Sequence, residues 1–552
     1  MMKKVLSLTL AAVMCILSLT ACGSTNPTEN SQSSAQTSSQ PSSQPSSQPS
    51  VSAPEVSAGP IIAPSEAPTD AVYAEELTVS LLSQIASLDT ANPAAMGGSV
   101  GIAFNMFLNT LYDQDKANPG KYLPSLAVSY ETSDSQHVTI KLRDDIYFHN
   151  GEKMTADDVA FTIDRAKDNP GTNVNDRLGK IGSYDIIDDY TIILNYTNVN
   201  PEFISELSWC FCGILNRKAL EDDPVNGYLV GTGPWKVDDF VPSDYIKFVR
   251  NENYWGELAI TKRITFKIVA EEASRLTMLE NGETQIANGL NVFDYSYVES
   301  NPDRFEAYPY TAHGIDSIMF NMSDPLMSDI NFRLAVASAI DREGLSIVGR
   351  NGYTQDPTSG SLWGWGTDYK NNDIPFVPYD IEAAETYLAQ SSYSGETIRL
   401  MAGIPGYIRT AEALQQQLNL IGINVEIEQT DQVGVSSATR WDNNNTQMIC
   451  HPSTWLYEAS SSKAMLMPRA SANMAHYENP EVVRLLELGD QTADPVERES
   501  IYKSIQEIVA QDMPYIGLFY PVFYICTVKG VGGLYLDPTA MGDYSYVYQI
   551  IG

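Results

Sequence analysis

The chain runs to 552 residues and carries 69 acidic against 34 basic side chains, a formal net charge of −35. A single hydrophobic core stops growing near ~250 to 300 residues, so at least two lobes are required. So acidic a surface repels phosphate backbones and argues against nucleic acid as a partner, although charge alone does not define a substrate.

At the N-terminus, Lys3 and Lys4 precede an apolar run from Val5 to Leu19. That run is shorter than the ~20 residues of a membrane-spanning helix and fits a secretory signal. Leu19-Thr20-Ala21-Cys22-Gly23 follows directly and resembles a bacterial lipobox. The resemblance makes 1–21 a signal peptide and Cys22 the lipidated residue, with more than the single acyl chain that anchors only marginally. Residues 22–72 are rich in Ser, Pro and Gln and include SSQPSSQPSSQP. They cannot bury enough apolar surface to fold, and read as a disordered tether with a reach of roughly 40 Å.

Folded sequence begins near Glu76, where LTVSLL reads as a strand. Val138, Ile140 and Leu142 then share one face of a second strand, with a turn at Asn150-Gly151. Thr155 with Asp158 forms a capping box, and Val159, Ile163 and Ala166 follow at helical spacing. Cys210-Phe211-Cys212 would place both sulfurs on one face if extended; it lacks metal-site spacing and reads as structural. From Gly231 to Gly256, GTGPWKVDDFVPSDYIKFVRNENYWG reads as a sharp turn entering a hairpin. Gly231 and Gly233 supply unusual backbone angles there, and Ile246 and Phe248 lie on one face.

Two stretches carry a family resemblance. GTGPWKV with RNENYWG, and PSLAVSYETSDSQHVTIKLRDDIYFHNGEKMTADDVAFTIDRA from Pro124 to Ala166, resemble the family 5 extracellular solute-binding proteins. That family includes the oligopeptide-, dipeptide- and nickel-binding receptors of ABC importers. The resemblance implies an α/β, two-lobe periplasmic-binding-protein-like fold, type II and cluster C, with a hinge and an interlobe cleft. Lobe 1, with an extra subdomain, is expected over 73–311, lobe 2 over 312–516, and a return to lobe 1 over 517–552. The first crossover is placed near Tyr310 to Ile315, and it contains His313.

Lobe 2 has its own local pattern. TIRLMA is strand-like, Ala411, Leu414, Leu418 and Ile421 form a helical stripe ended by Gly422, and NVEIEQ alternates again. This is a β-α-β unit and predicts parallel sheet. Asn479-Pro480 and Asp494-Pro495 start two more helices, and Pro514 ends the second.

For chemistry, the chain has no G-x-S-x-G, no H-E-x-x-H and no Walker loop, and its 5 histidines are scattered. No enzyme, no cofactor and no metal are expected, and the function is binding. Trp363 and Trp365 in GSLWGWGTDY lie where the family has a loop lining the cleft, and flat rings flanked by glycine can stack on a ligand. Burial of both under that loop is the alternative. In peptide-binding relatives the counterpart of Gln447 to Met465 reads as a strand, then G-W-x-x-D, then D-P, and its aspartate pairs with the peptide ammonium. Here Leu456 stands in the acid position and Ala459-Ser460 replaces D-P, while Trp455 and Tyr457 keep aromatic character and Glu458 lies two residues away. Either Glu458 replaces the acid or the ligand has no free α-amine there; the second is preferred, because a buried ammonium needs a counter-ion. With His313, these residues make up the candidate substrate-binding set.

The resemblance therefore implies a monomeric receptor that is lipid-anchored at the extracellular face. It would bind an oligopeptide or peptide-like solute by lobe closure and hand it to ABC permease subunits. A non-peptide solute such as a sugar or metal chelate, and a peptide-sensing role, are the alternatives.

Overall fold

A computed structural model describes residues 67–552 apart from 117, 119, 404, 431, 443–445, 454–456, 471, 537–541 and 552. The signal segment, Cys22, the tether as far as residue 66, and Trp455 lie outside the described residues.

The fold is organised by one strand, Tyr515–Val528. Its sequence, YIGLFYPVFYICTV, is almost unbroken apolar and aromatic, as a strand covered on both faces must be. The first part pairs antiparallel with Ile315–Phe320, from Met319 opposite Tyr515 to Asp316 opposite Phe519. The second part pairs with Phe305–Thr311, from Thr311 opposite Val522 to Phe305 opposite Val528, and with Ile286–Asn288. One continuous 12-stranded sheet results, running from Val425–Gln429 through Ile398–Ala402, Met448–Ser453, Ile315–Phe320 and the long strand. It continues through Ile286–Asn288, Glu76–Leu81 and Arg263–Ile268 to the hairpin Tyr245–Arg250 and Trp235–Val241. A separate four-stranded antiparallel sheet contains Ala127–Glu131, His137–Leu142, Thr191–Tyr196 and Ile181–Asp188.

Although the sheet is continuous, the cores are separate. Residues between 315 and 519 pack around Phe332, Leu400 and Leu414, and, with Tyr520, around Trp363, Tyr502 and Ile505. Residues before 311 pack with 525–547 around Phe104, Trp235 and Phe266, and a third cluster backs the four-stranded sheet. Chain crosses between these groups at 312–314 and at Tyr520-Pro521. The two crossings touch, since Ala312 N–H donates to Pro521 O at 3.0 Å. Pro521 has no N–H to give, and among the described residues its strand partner is the short Thr354–Gln355.

Local signals were realised where the sequence is most explicit. Asp158 accepts from Thr155 N–H at 3.0 Å and starts the helix Ala156–Asp168. Ile398–Ala402 and Val425–Gln429 are parallel across the helix Pro405–Leu420. Asn479 and Asp494 cap the helices Pro480–Gln491 and Pro495–Asp512. One condition is not met and one expectation is corrected. Cys210–Cys212 is a turn of 3-10 helix, with Cys212 buried and Cys210 half-buried. Gly231 and Gly233 are required for close approach and not for positive φ: a Cβ would stand 1.9 Å from Phe107 O and 2.6 Å from Phe107 C, respectively.

Candidate functional site

Between these halves lies a cavity built from six separated pieces of chain. The end of the helix Gly98–Phe107 and the loop after it contribute Asn105, Leu108 and Asn109. The small hairpin Tyr112–Gln114 and Tyr122–Pro124 contributes Asp113, Gln114 and Tyr122. Ser205, Ser208 and Trp209 come from the helix Phe203–Ser208 and its end, and Pro234 and Tyr254 from the Gly231 hairpin. The C-terminal segment adds Tyr535, Asp543, Ser545 and Tyr546. The opposite wall is Tyr457 and Glu458. The cavity measures about 130 Å³. Typical ligand clefts span ~300 to 1,000 Å³, so the cavity is smaller than most.

Glu458 is the polar tie between the walls: it accepts from Tyr122 OH at 3.1 Å and from Ser205 Oγ. Burial first, and then the Glu458 carboxylate, hold the Tyr122 phenol well above its usual range. A second tie lies beside it. Arg498 Nη2 donates to Glu202 Oε1 at 2.5 Å, and Ser460 Oγ donates to the other Glu202 oxygen. Burial weakens the Arg498 cation, but Glu202 holds it above its ordinary range. Asp368 N–H donates to Tyr457 O at 2.7 Å. Asp368 is exposed, yet the surrounding protein and the carboxylates of Glu458 and Glu202 lift its carboxyl to about 6.

On the first wall, Lys116 is ion-paired with Asp543. Its ammonium lies 5.3 Å from the Tyr535 ring centre and 5.7 Å from that of Tyr546. Burial raises the Asp113 carboxyl, with Lys116 opposing and Asp543 reinforcing the shift.

The candidate residues named from sequence fall in different places. Tyr457 and Glu458 line the cavity. His313 sits behind Tyr457, 1 % exposed, with its ring centre 4.1 Å from the Tyr457 ring and 6.2 Å from Trp365. Among the described residues neither of its ring nitrogens has a hydrogen-bond partner, and burial pulls its pKa down to about 3. Trp365 is half-buried. Trp363 is fully buried in the core around Tyr502 and does not reach the cavity. Asp113, Lys116, Asp543 and the tyrosines at 254, 535 and 546 were not singled out from sequence. Their one local hint is the tyrosine density of DYSYVY near the C-terminus.

A family model described as bacterial extracellular solute-binding proteins, family 5 middle, matches residues 121–473, well over half of the chain. The chain belongs to the family 5 solute-binding proteins. Among curated relatives of this family 5 protein, the glutathione-binding protein GsiB of Escherichia coli (strain K12) is 26 % identical over 454 residues. That match covers 78 % of this chain and 86 % of GsiB. Among solved structures, the ABC transporter substrate-binding protein CtaP of Listeria monocytogenes superposes with a TM-score of 0.77 at 21 % identity, covering 87 % of this chain and 100 % of that one. The periplasmic binding protein DppA of Helicobacter pylori, solved with the peptide STSA, gives 0.72 at 23 % identity, covering 87 % and 99 %. At these identities the structures establish the fold, which is the two-lobe α/β fold with a hinge and an interlobe cleft. The family is one of extracellular binding proteins. Among the described residues, no helix is long and apolar enough to cross a membrane.

Proposed function

We propose that this family 5 protein is the receptor of an ABC importer, held at the extracellular face by a lipid on Cys22, that captures an oligopeptide or peptide-like solute by lobe closure. The observation that carries this reading is the cavity itself: it is walled by Tyr122 and Ser205 on one side and by Tyr457 and Glu458 on the other, joined through Glu458. A ligand that touches both walls stabilises the closed form by its differential affinity for that form. Neutral donors and acceptors such as Asn105, Asn109, Gln114 and Ser208 suit amide groups, and the aromatic walls suit side chains.

In this reading 73–311 and the chain after Tyr520 make one lobe and 312–520 the other; the return begins later than the expected 517, because Leu518, Phe519 and Tyr520 pack in the cores of the second lobe. The protein works as a monomer, performs no chemistry, and leaves ATP hydrolysis to partner subunits. Native mass spectrometry of the purified protein, followed by thermal shifts against peptide, sugar and metal-chelate panels, tests it. A peptide at about 100 times Kd adds roughly 2.7 kcal/mol of stability. Stabilisation by sugars or chelates alone, or release of cleaved peptide, would overturn the reading.

A further inference from the structure

The charges that line the cavity do not balance. They are Asp113, Lys116, Glu458 and Asp543. Lys116 is ion-paired with Asp543, whose Oδ1 also accepts from Ser545 N–H at 2.7 Å. Among the cations near the cavity, Arg498 is held by Glu202 and Arg177 lies over the Trp209 ring at 5.2 Å. Glu458 accepts from the neutral hydroxyls of Tyr122 and Ser205, and Asp113 accepts from the backbone N–H of Gln114 at 2.8 Å. Two carboxylates, one on each wall, therefore face the cavity with no ion-pair partner among the described residues, although Asp113 feels the Lys116 cation that is paired with Asp543. Among the neutral groups of the lining are the rings of Trp209, Tyr254, Tyr457, Tyr535 and Tyr546. Ring faces attract cations, and the Lys116 ammonium already lies against two of these rings.

We infer that the solute carries an organic cation, an ammonium or guanidinium distinct from a peptide's α-amine, and that Asp113 and Glu458 select it. The inference rests on the receptor reading above and narrows its ligand class. Closing the lobes brings two like charges into one water-poor space, which opposes closure unless a cation enters with the ligand. A cationic ligand thus has the larger differential affinity for the closed form, and charge selection is coupled to closure. The cation could be a basic peptide side chain or belong to a small polyamine.

The test is calorimetry on the full-length protein with N-acetylated Ala-Lys-Ala, its norleucine counterpart and spermidine, using wild type, Asp113→Asn and Glu458→Gln. Because Asp113 is exposed to the cavity, its amide leaves the fold intact, and thermal melts of both variants verify this. The expected result is lysine peptide bound about tenfold more tightly than norleucine peptide by wild type, with the ratio falling below about threefold in Asp113→Asn. Equal affinity for the two peptides in wild type overturns the inference and leaves the peptide reading standing. Binding of spermidine with no peptide bound, again weakened by Asp113→Asn, supports the inference and overturns the peptide reading. Failure of every cationic probe to bind overturns the inference.

Discussion

Removing the Glu202 carboxylate should weaken ligand capture far more than it weakens the fold. Glu202 and Arg498 come from opposite lobes, and their side chains are 11 % and 7 % exposed. Arg498 also donates from Nε to Gly489 O at 2.9 Å, a bond within its own lobe that survives the change. A buried charge stripped of its partner costs about 3 to 5 kcal/mol. Opening the lobes returns the Arg498 guanidinium to water, so the penalty falls on the closed form alone. At the lower end, about 3 kcal/mol, the closed-to-open ratio and hence the apparent affinity fall by roughly a hundredfold. Ser460→Ala removes one hydrogen bond to a charged acceptor, about 1.5 kcal/mol, and should cost roughly tenfold. Titration calorimetry with the solute identified by mass spectrometry measures both. If Glu202→Ala changes Kd by less than about twofold, the ion pair plays no part in closure and the reasoning fails.

Three further outcomes follow from the same structure. His313 titrates near 3 when buried against an ordinary 6.5, so its neutral burial stabilises the folded form above pH 6.5 and that contribution is lost as pH falls toward 3. The loss is about 1.4 kcal/mol per pH unit. Urea midpoints at pH 7 and 5.5 should therefore fall further apart in wild type than in His313→Phe. Comparing the two proteins cancels the similar term from half-buried His149, and equal differences would refute the assignment. Asp316→Asn strips the partner from Arg350, which binds Asp316 Oδ2 through Nε and Nη2 at 2.9 and 2.7 Å with its side chain 8 % exposed. A loss of about 3 to 5 kcal/mol in chemical denaturation is expected. Gly231→Ala drives a methyl into Phe107 O and should cost about 1 to 3 kcal/mol or more by the same measurement.

How much of this was legible beforehand depends on how local each signal is. The Thr155–Asp158 box, the β-α-β unit around Leu414 and the Trp235 hairpin are decided by neighbours within a few residues, and each formed as the sequence implied. The double role of Tyr515–Val528 was only partly visible: an apolar run shows that a strand is covered, but not that its two ends serve different lobes. Trp363 shows the limit for aromatics. A ring between glycines reads the same whether it faces a ligand or a core, and packing against Tyr502 and its neighbours decides the matter. Glu458, which lines the cavity, was singled out because the stretch around it departs from a family pattern. Asp113, Lys116 and Asp543 were missed because they meet across more than four hundred positions of chain, a distance no spacing rule spans.

The most direct test of the central claim, a solute clamped between two moving lobes, is a distance across the cleft. Cysteines introduced by Ile187→Cys and Leu420→Cys sit at positions 59 % and 72 % exposed, one on each lobe, while the described native cysteines are buried or half-buried. Labels at these sites should move closer when saturating peptide is added, and return when it is removed. A bound peptide that leaves the distance unchanged would contradict lobe closure as the mode of capture.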